Sequence, residues 1–98
     1  MNLEPVFQVS ELVEAINHHL DLLGDVSVEG EISRIDVKNG RLIFATIKDK
    51  ESALDVFSLT HLVRNHYQLE EGMLVRVKGS AGLYKGSGRF RLFAKEIV

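Results

Sequence analysis

A mainly β fold is predicted: five short, strongly bent strands closing into a barrel, one helix ahead of them and a short helix between the third and fourth strands. Three observations carry this. The hydrophobic period changes from 3.6 to 2 after Gly24 and stays near 2 for most of the remaining chain. Glycines and parity shifts recur inside the alternation, as strands coiling around a small barrel require. One stretch, 60–72, interrupts it, and 98 residues fit a single domain.

The elements follow in order. Ser10 is a candidate N-cap, Glu11 and Glu14 suit a helix start, and Leu12, Val13, Ile16, His19, Leu20 and Leu23 fall on one stripe. Gly24 is a C-terminal stop, which predicts a helix over 11–23 with one buried face. Val26, Val28, Gly30 and Ile32 alternate with polar residues as a first strand; Gly30 marks a bend, and Ile35 and Val37 continue with shifted parity, placing a bulge near Ser33. Lys38-Asn39-Gly40 is a hairpin turn. Leu42, Phe44 and Ile47 form a second strand, with a parity slip near Ala45. Lys48–Glu51 turn, and Ala53–Leu59 form a third strand. Thr60 is expected to cap a short helix with Leu62, Val63, His66 and Tyr67 as its packed stripe, ended by Glu70-Glu71-Gly72. Met73, Val75 and Val77 begin a fourth strand running toward Tyr84. Lys85-Gly86-Ser87-Gly88 turns, and Phe90, Leu92 and Ala94 form the inner face of a fifth. Phe7, Phe44, Phe57 and Phe90 are expected in the core. This order describes the OB-fold, a five-stranded Greek-key barrel, ahead of an SH3-like barrel, which lacks the helix after the third strand. Residues 1–24 are expected to pack as a helical segment on a barrel of residues 25–98.

Composition narrows the chemistry. With no Cys, disulfides, thiolate nucleophiles and Cys-based zinc sites are excluded. His18 with His19 and His61 with His66 lack the spacing of metal ligands on one helix face, so no metal or other cofactor is expected. Lys85–Gly88 lacks the spacing of a nucleotide-binding loop and precedes a strand. Glu29 and Glu31 share a strand face but have no partner for acid–base work, so catalysis by this chain alone is not expected. No apolar run approaches the roughly 18–20 residues of a membrane span, and the first residues do not read as a secretory signal, which points to the cytoplasm and no membrane partner.

The net charge of −2 hides an asymmetry. Residues 1–33 carry seven acids and no Lys or Arg; all twelve basic residues lie beyond, with six of them from Arg76 onward against Glu96 alone. One end of the molecule therefore suits a polyanion. OB barrels bind single strands with cations along the backbone and aromatic faces under the bases, using the loops between strands one and two and between four and five. Those loops, Asp36–Arg41 and Tyr84–Arg89, carry Lys38, Arg41, Lys85 and Arg89, with Tyr84 at the edge. On the outer face of the fifth strand, Arg91, Phe93 and Lys95 interleave cations with an aromatic ring. These eight residues are the candidate nucleic-acid site. The first strand should pair with the fourth, so Glu29 and Glu31 are expected to meet Arg76 and Lys78. Lys85, Arg89 and Arg91 are left free for phosphates. An RNA- or tRNA-binding module, and an OB domain used for protein contact, are the alternatives.

Several ordered pieces carry a resemblance. Phe7-Gln8-Val9-Ser10-Glu11-Leu12, Val28-Glu29-Gly30-Glu31-Ile32-Ser33, Gly40-Arg41-Leu42-Ile43-Phe44, Ile47-Lys48-Asp49, Gly72-Met73 through Val77-Lys78-Gly79, Leu83-Tyr84 and Phe90-Arg91-Leu92 follow one another over nearly the whole chain. In this it resembles the N-terminal OB-fold domain of the exodeoxyribonuclease VII large subunit. It departs at Ser27 and Ile43, often aromatic in that family, and at 60–66, which has one Arg where the family tends to be Arg-rich; its last hairpin is more basic than usual. The resemblance implies a module that binds single-stranded DNA and presents it to a downstream nuclease region absent from this chain. It also implies a small-subunit partner reached through that region, within an enzyme that hydrolyses single-stranded DNA from its ends.

Overall fold

The computed structural model describes residues 3–98 in the order α1 (Val9–Asp21), β1 (Asp25–Lys38), β2 (Leu42–Lys48), β3 (Ala53–Leu59), a 3-10 turn (His66–Gln68), β4 (Leu74–Leu83) and β5 (Phe90–Ile97). Residues 1 and 2 of the expected 1–24 segment lie outside the described residues. The strands close into a barrel in the order β1-β2-β3-β5-β4. This is the five-stranded OB architecture that the alternation predicts.

Strand β1 is long because it serves two neighbours. Residues Asp25–Glu31 pair with β4 and Glu31–Lys38 with β2, both antiparallel. The changeover falls at Gly30 and Glu31. A Cβ on Gly30 would lie 3.2 Å from the Lys48 carbonyl oxygen, so a side chain there would crowd the bend. The register shifts between Ile32 and Arg34, the expected bulge at Ser33. Asn39 and Gly40 both adopt positive φ (+54° and +64°), and the Arg41 N–H donates to Lys38 O at 3.1 Å, closing the β1–β2 turn.

The barrel interior holds Ile32, Ile43, Ile47, Val56, Val75, Val77, Leu92, Ala94 and Ile97. The 60–72 connection sends buried Val63 into this core. Asn65 Nδ2 donates to Ile97 O at 3.0 Å, fixing the connection to the end of β5. No capped helix forms there. Thr60 Oγ1 donates to Gly40 O at 2.9 Å instead, tying the end of β3 to the β1–β2 turn, and only residues 66–68 make a 3-10 turn. Tyr67 is 75% exposed, not packed.

The helix differs from expectation at both ends. Its N-cap is Gln8, because the Glu11 carboxylate reaches back to accept the Gln8 N–H at 2.8 Å; Ser10 lies inside the first turn. The last turn tightens through Leu22 N–H to His19 O, and Gly24 takes φ +64°. The apolar stripe is not buried as a whole: Val13 is, while Leu12 and Ile16 remain exposed. The barrel closes on itself, and the helix packs on its outside, chiefly against β4. Phe7 and Phe90 are also exposed, so neither belongs to the core.

Charge pairing between β1 and β4 is narrower than expected. Glu29 stands opposite Arg76, but Glu31 faces Leu74 and Lys78 faces Ser27. Lys78 sits between Ser27 and, on β5, Glu96. Among the described residues the ion pairs are Arg34–Asp36 at 3.0 Å and Lys95–Asp25 at 2.8 Å. The Lys95 ammonium holds the exposed Asp25 carboxyl below the usual carboxylate range.

At Gly79, beside a register shift, the backbone of β4 lies close against β5. A Cβ there would lie 2.7 Å from the Phe93 carbonyl carbon and 2.9 Å from Ala94 Cα, both backbone atoms that cannot rotate away. At Gly82 it would meet only Asn17 Oδ1, at 3.4 Å. Gly79→Ala is therefore expected to destabilise by about 1–3 kcal/mol, as overpacking does, lowering Tm by roughly 4–8 °C per kcal/mol. Gly82→Ala should shift Tm far less. Thermal unfolding of both variants checks the difference; equal melting points would mean that β4 and β5 do not approach as described.

Candidate nucleic-acid interface

On β2 the side chains alternate without a slip. Ile43, Ala45 and Ile47 point inward, while Leu42, Phe44 and Thr46 point outward and are half-buried. On β3, Val56 and Ser58 point inward and Asp55 and Phe57 outward. The expected parity slip at Ala45 does not occur, because β2 and β3 pair in unbroken register from Leu42↔Leu59 to Lys48↔Ala53. Phe44 and Phe57 are therefore not core residues. They stand on the outer face, where Phe93 of β5 joins them.

The three phenylalanines form one row across the barrel. Phe44 is the register partner of Phe57, and Phe57 of Phe93. Ring centroids are 5.2 Å and 5.9 Å apart, with the rings tilted against one another. Cations lie over this row. Lys38 Nζ is 5.2 Å from the Phe44 centroid, and Arg91 Cζ is 5.6 Å from that of Phe57 and 4.3 Å from that of Tyr84. Tyr84 starts the β4–β5 hairpin, which is held by Tyr84 N–H to Arg89 O at 2.8 Å and Gly88 N–H to Tyr84 O at 2.7 Å. Its ring lies against Gly86, where a Cβ would come within 3.2 Å of it.

The row floors an open groove of about 770 Å³. Helix α1 contributes Asn17 and Asp21 to its wall, β4 contributes Ser80 to Leu83, and Tyr84 and Lys85 of the hairpin and Arg91 of β5 complete the lining. The wall is fixed by one side chain. Asn17 Nδ2 donates to Leu83 O at 3.0 Å, and Leu83 N–H donates to Asn17 Oδ1 at 2.6 Å, so a single amide occupies both backbone groups of a β4 residue. A smaller hollow of about 200 Å³ continues the surface between Arg34, Thr46, Asp55, Arg89 and Arg91. There Thr46 Oγ1 donates to Asp55 at 3.3 Å.

The structure thus gathers Tyr84, Lys85, Arg91 and Phe93 around one groove, sets Lys38 over the Phe44 ring and places Arg89 in the adjoining hollow. Arg41 is exposed just past the Asn39-Gly40 turn. Lys95 is exposed but already engaged with Asp25. Sequence reasoning missed Phe44, Phe57, Arg34, Asn17 and Asp21 as parts of this surface. A signal for two of them was present: strict alternation puts Phe44 in phase with Thr46, and Phe57 in phase with Asp55, which is the solvent phase. Among the described residues, no group of three His, Cys, Asp or Glu side chains could hold a metal ion, and no helix is long and apolar enough to cross a membrane.

Comparison with known proteins gives the family of this fold. The family described as "OB-fold nucleic acid binding domain" matches residues 7–98. The chain is 37% identical over 93 residues to the exodeoxyribonuclease 7 large subunit of Clostridium beijerinckii, covering 91% of this chain and 23% of that protein. It is 34% identical over 100 residues to that of Fusobacterium nucleatum, covering 97% and 24%. With that of Bacillus subtilis it shares 30% over 93 residues, covering 91% and 21%. The chain spans about a quarter of the length of these relatives.

Asn17→Ala is expected to loosen the groove wall, since it removes both bonds to Leu83. The loss should be about 1–3 kcal/mol if the freed groups stay partly buried. Denaturant unfolding measures it, and amide exchange locates it: the Leu83 amide and those of α1 should exchange faster while β1–β3 amides keep their protection.

Proposed function

This chain belongs to the family of OB-fold nucleic acid binding domains, and on that premise we propose that it holds single-stranded DNA on the Phe44–Phe57–Phe93 row. The carrying observation is that row itself: three phenylalanines, outward-facing on three adjacent strands, with Lys38 and Arg91 over them. Apolar rings on an outer barrel face are exposed at a loss unless something covers them, and stacked bases cover them without regard to sequence. Each stacked base contributes about 1–3 kcal/mol. Phosphates of the same strand fall to Lys38, Lys85, Arg89 and Arg91, which form no ion pair among the described residues. A duplex hides its base faces and keeps only the phosphate contacts, and a chain of net charge −2 offers those weakly.

The relatives named exodeoxyribonuclease 7 large subunit suggest the setting. In it, this module hands a single strand to a nuclease region lying in the remaining three quarters of such a protein, with the small subunit engaging that region. The module itself binds and does not cut.

Fluorescence anisotropy with matched oligonucleotides tests the binding. Single-stranded DNA should bind at least about tenfold tighter than duplex, the equivalent of one stacked base. Phe57→Ala should weaken single-strand binding most among the three ring variants, because Phe57 touches both other rings. Arg89→Ala with Arg91→Ala should flatten the salt dependence, by a slope of about 0.7 for each phosphate no longer neutralised. Arg76→Ala with Lys78→Ala, on the β4 face, should leave that slope nearly unchanged. Equal duplex binding, or a larger slope change from the Arg76/Lys78 pair, would place the ligand elsewhere; equal affinity for RNA would widen the ligand to any single strand. Incubation of the purified chain with end-labelled single strands should release no fragments.

A further inference from the structure

We propose that Asp21 reads base edges in the groove and biases it toward bases that present an amino donor, cytosine over thymine. This rests on the groove being a single-strand site. Asp21 lines the groove from the last turn of α1, whereas the groove's cations, Lys85 and Arg91, come from the hairpin and β5. Among the described residues its carboxylate has no hydrogen bond or ion pair. Its position does nothing for the helix, because a negative charge in the last turn opposes the helix dipole. The neighbouring polar wall residue, Asn17, has its amide held in one orientation by its two bonds to Leu83. Asp21 is therefore an unpaired acceptor in the lining that it shares with the aromatic floor.

The two walls sort the two halves of a nucleotide. Lys85 and Arg91 attract phosphate and Asp21 repels it, so the strand's backbone lies toward the hairpin and its base edges toward α1. An ionised carboxylate only accepts hydrogen bonds. The cytosine N4 amine donates to such a group, whereas thymine presents a carbonyl at the same place. Stacking on the phenylalanines is tolerant of base identity, so the preference is a modest one laid over general single-strand binding.

Anisotropy titrations with oligo(dC) and oligo(dT) of equal length, on wild type and Asp21→Asn, test this. Removing a negative charge strengthens binding of both strands alike, so the readout is the ratio of their dissociation constants. That ratio should fall at least about threefold toward parity in Asp21→Asn, since an amide can pair with either base. An oligonucleotide of N4,N4-dimethylcytosine, which lacks the donor, should bind the wild type as weakly as oligo(dT). An unchanged ratio in the variant, or full-strength binding of the dimethylated strand, would overturn the assignment of Asp21. Failure of the wild type to bind any of the strands would instead overturn the groove as a single-strand site.

Discussion

The parallel seam between β3 and β5 is the contact on which the rest of the molecule depends. Every other strand pair is antiparallel and extensive; this one has two register pairs, Val56↔Leu92 and Phe57↔Phe93. A parallel pair needs a crossover, and here the crossover is the 60–72 connection together with β4. Ser58 reinforces the seam: its hydroxyl, fully buried, donates to Ala94 O at 2.6 Å. A buried hydroxyl without a partner would be costly, so this serine is stable only with the barrel shut. Closure also removes the two sheet edges that an open five-stranded meander would leave unpaired.

The same seam assembles the aromatic row. Phe44 and Phe57 would be neighbours in any β2–β3 hairpin of this register, but Phe93 comes from a strand 36 positions beyond Phe57 and joins only when β5 docks. Neighbouring strands lie about 4.8 Å apart, and the ring centroids at 5.2 Å and 5.9 Å follow that spacing. Core and binding surface are thus two faces of one registration. Val56 and Leu92 meet inside, Phe57 and Phe93 meet outside, and a slip of one residue would exchange them.

That dependence explains how much the sequence could reveal. Strand order, the Asn39-Gly40 turn, the bulge near Ser33 and the basic hairpin are local in origin, set by period, turn chemistry and charge, and all were legible. The faces of β2 and β3 were harder. Phenylalanine is more often inside than outside, and that preference outweighed the alternation that put Phe44 with Thr46 and Phe57 with Asp55. The helix cap moved because a glutamate side chain, not a serine hydroxyl, satisfied the first amide. Asn17 could not be found at all: its role is a pair of bonds to Leu83, 66 residues away, and no local pattern announces a side chain that serves a distant backbone.

The charge asymmetry of the sequence finds its place in the groove. The cation-free first third of the chain supplies the helix wall, and the basic last quarter supplies the hairpin. Had these charges been spread evenly, the molecule would present a weakly negative surface with little to orient a polyanion. Folding instead brings both segments into the lining of one groove around an apolar floor, with Lys85 and Arg91 contributed by the hairpin and β5 and Asp21 by α1. Water above a half-buried aromatic surface screens such charges less than bulk solvent does. A modest net charge therefore coexists with charges of both signs around one groove. The two segments that create it are joined by the Asn17–Leu83 clamp, which makes the position of the acidic wall relative to the cations a property of the fold and not of helix flexibility.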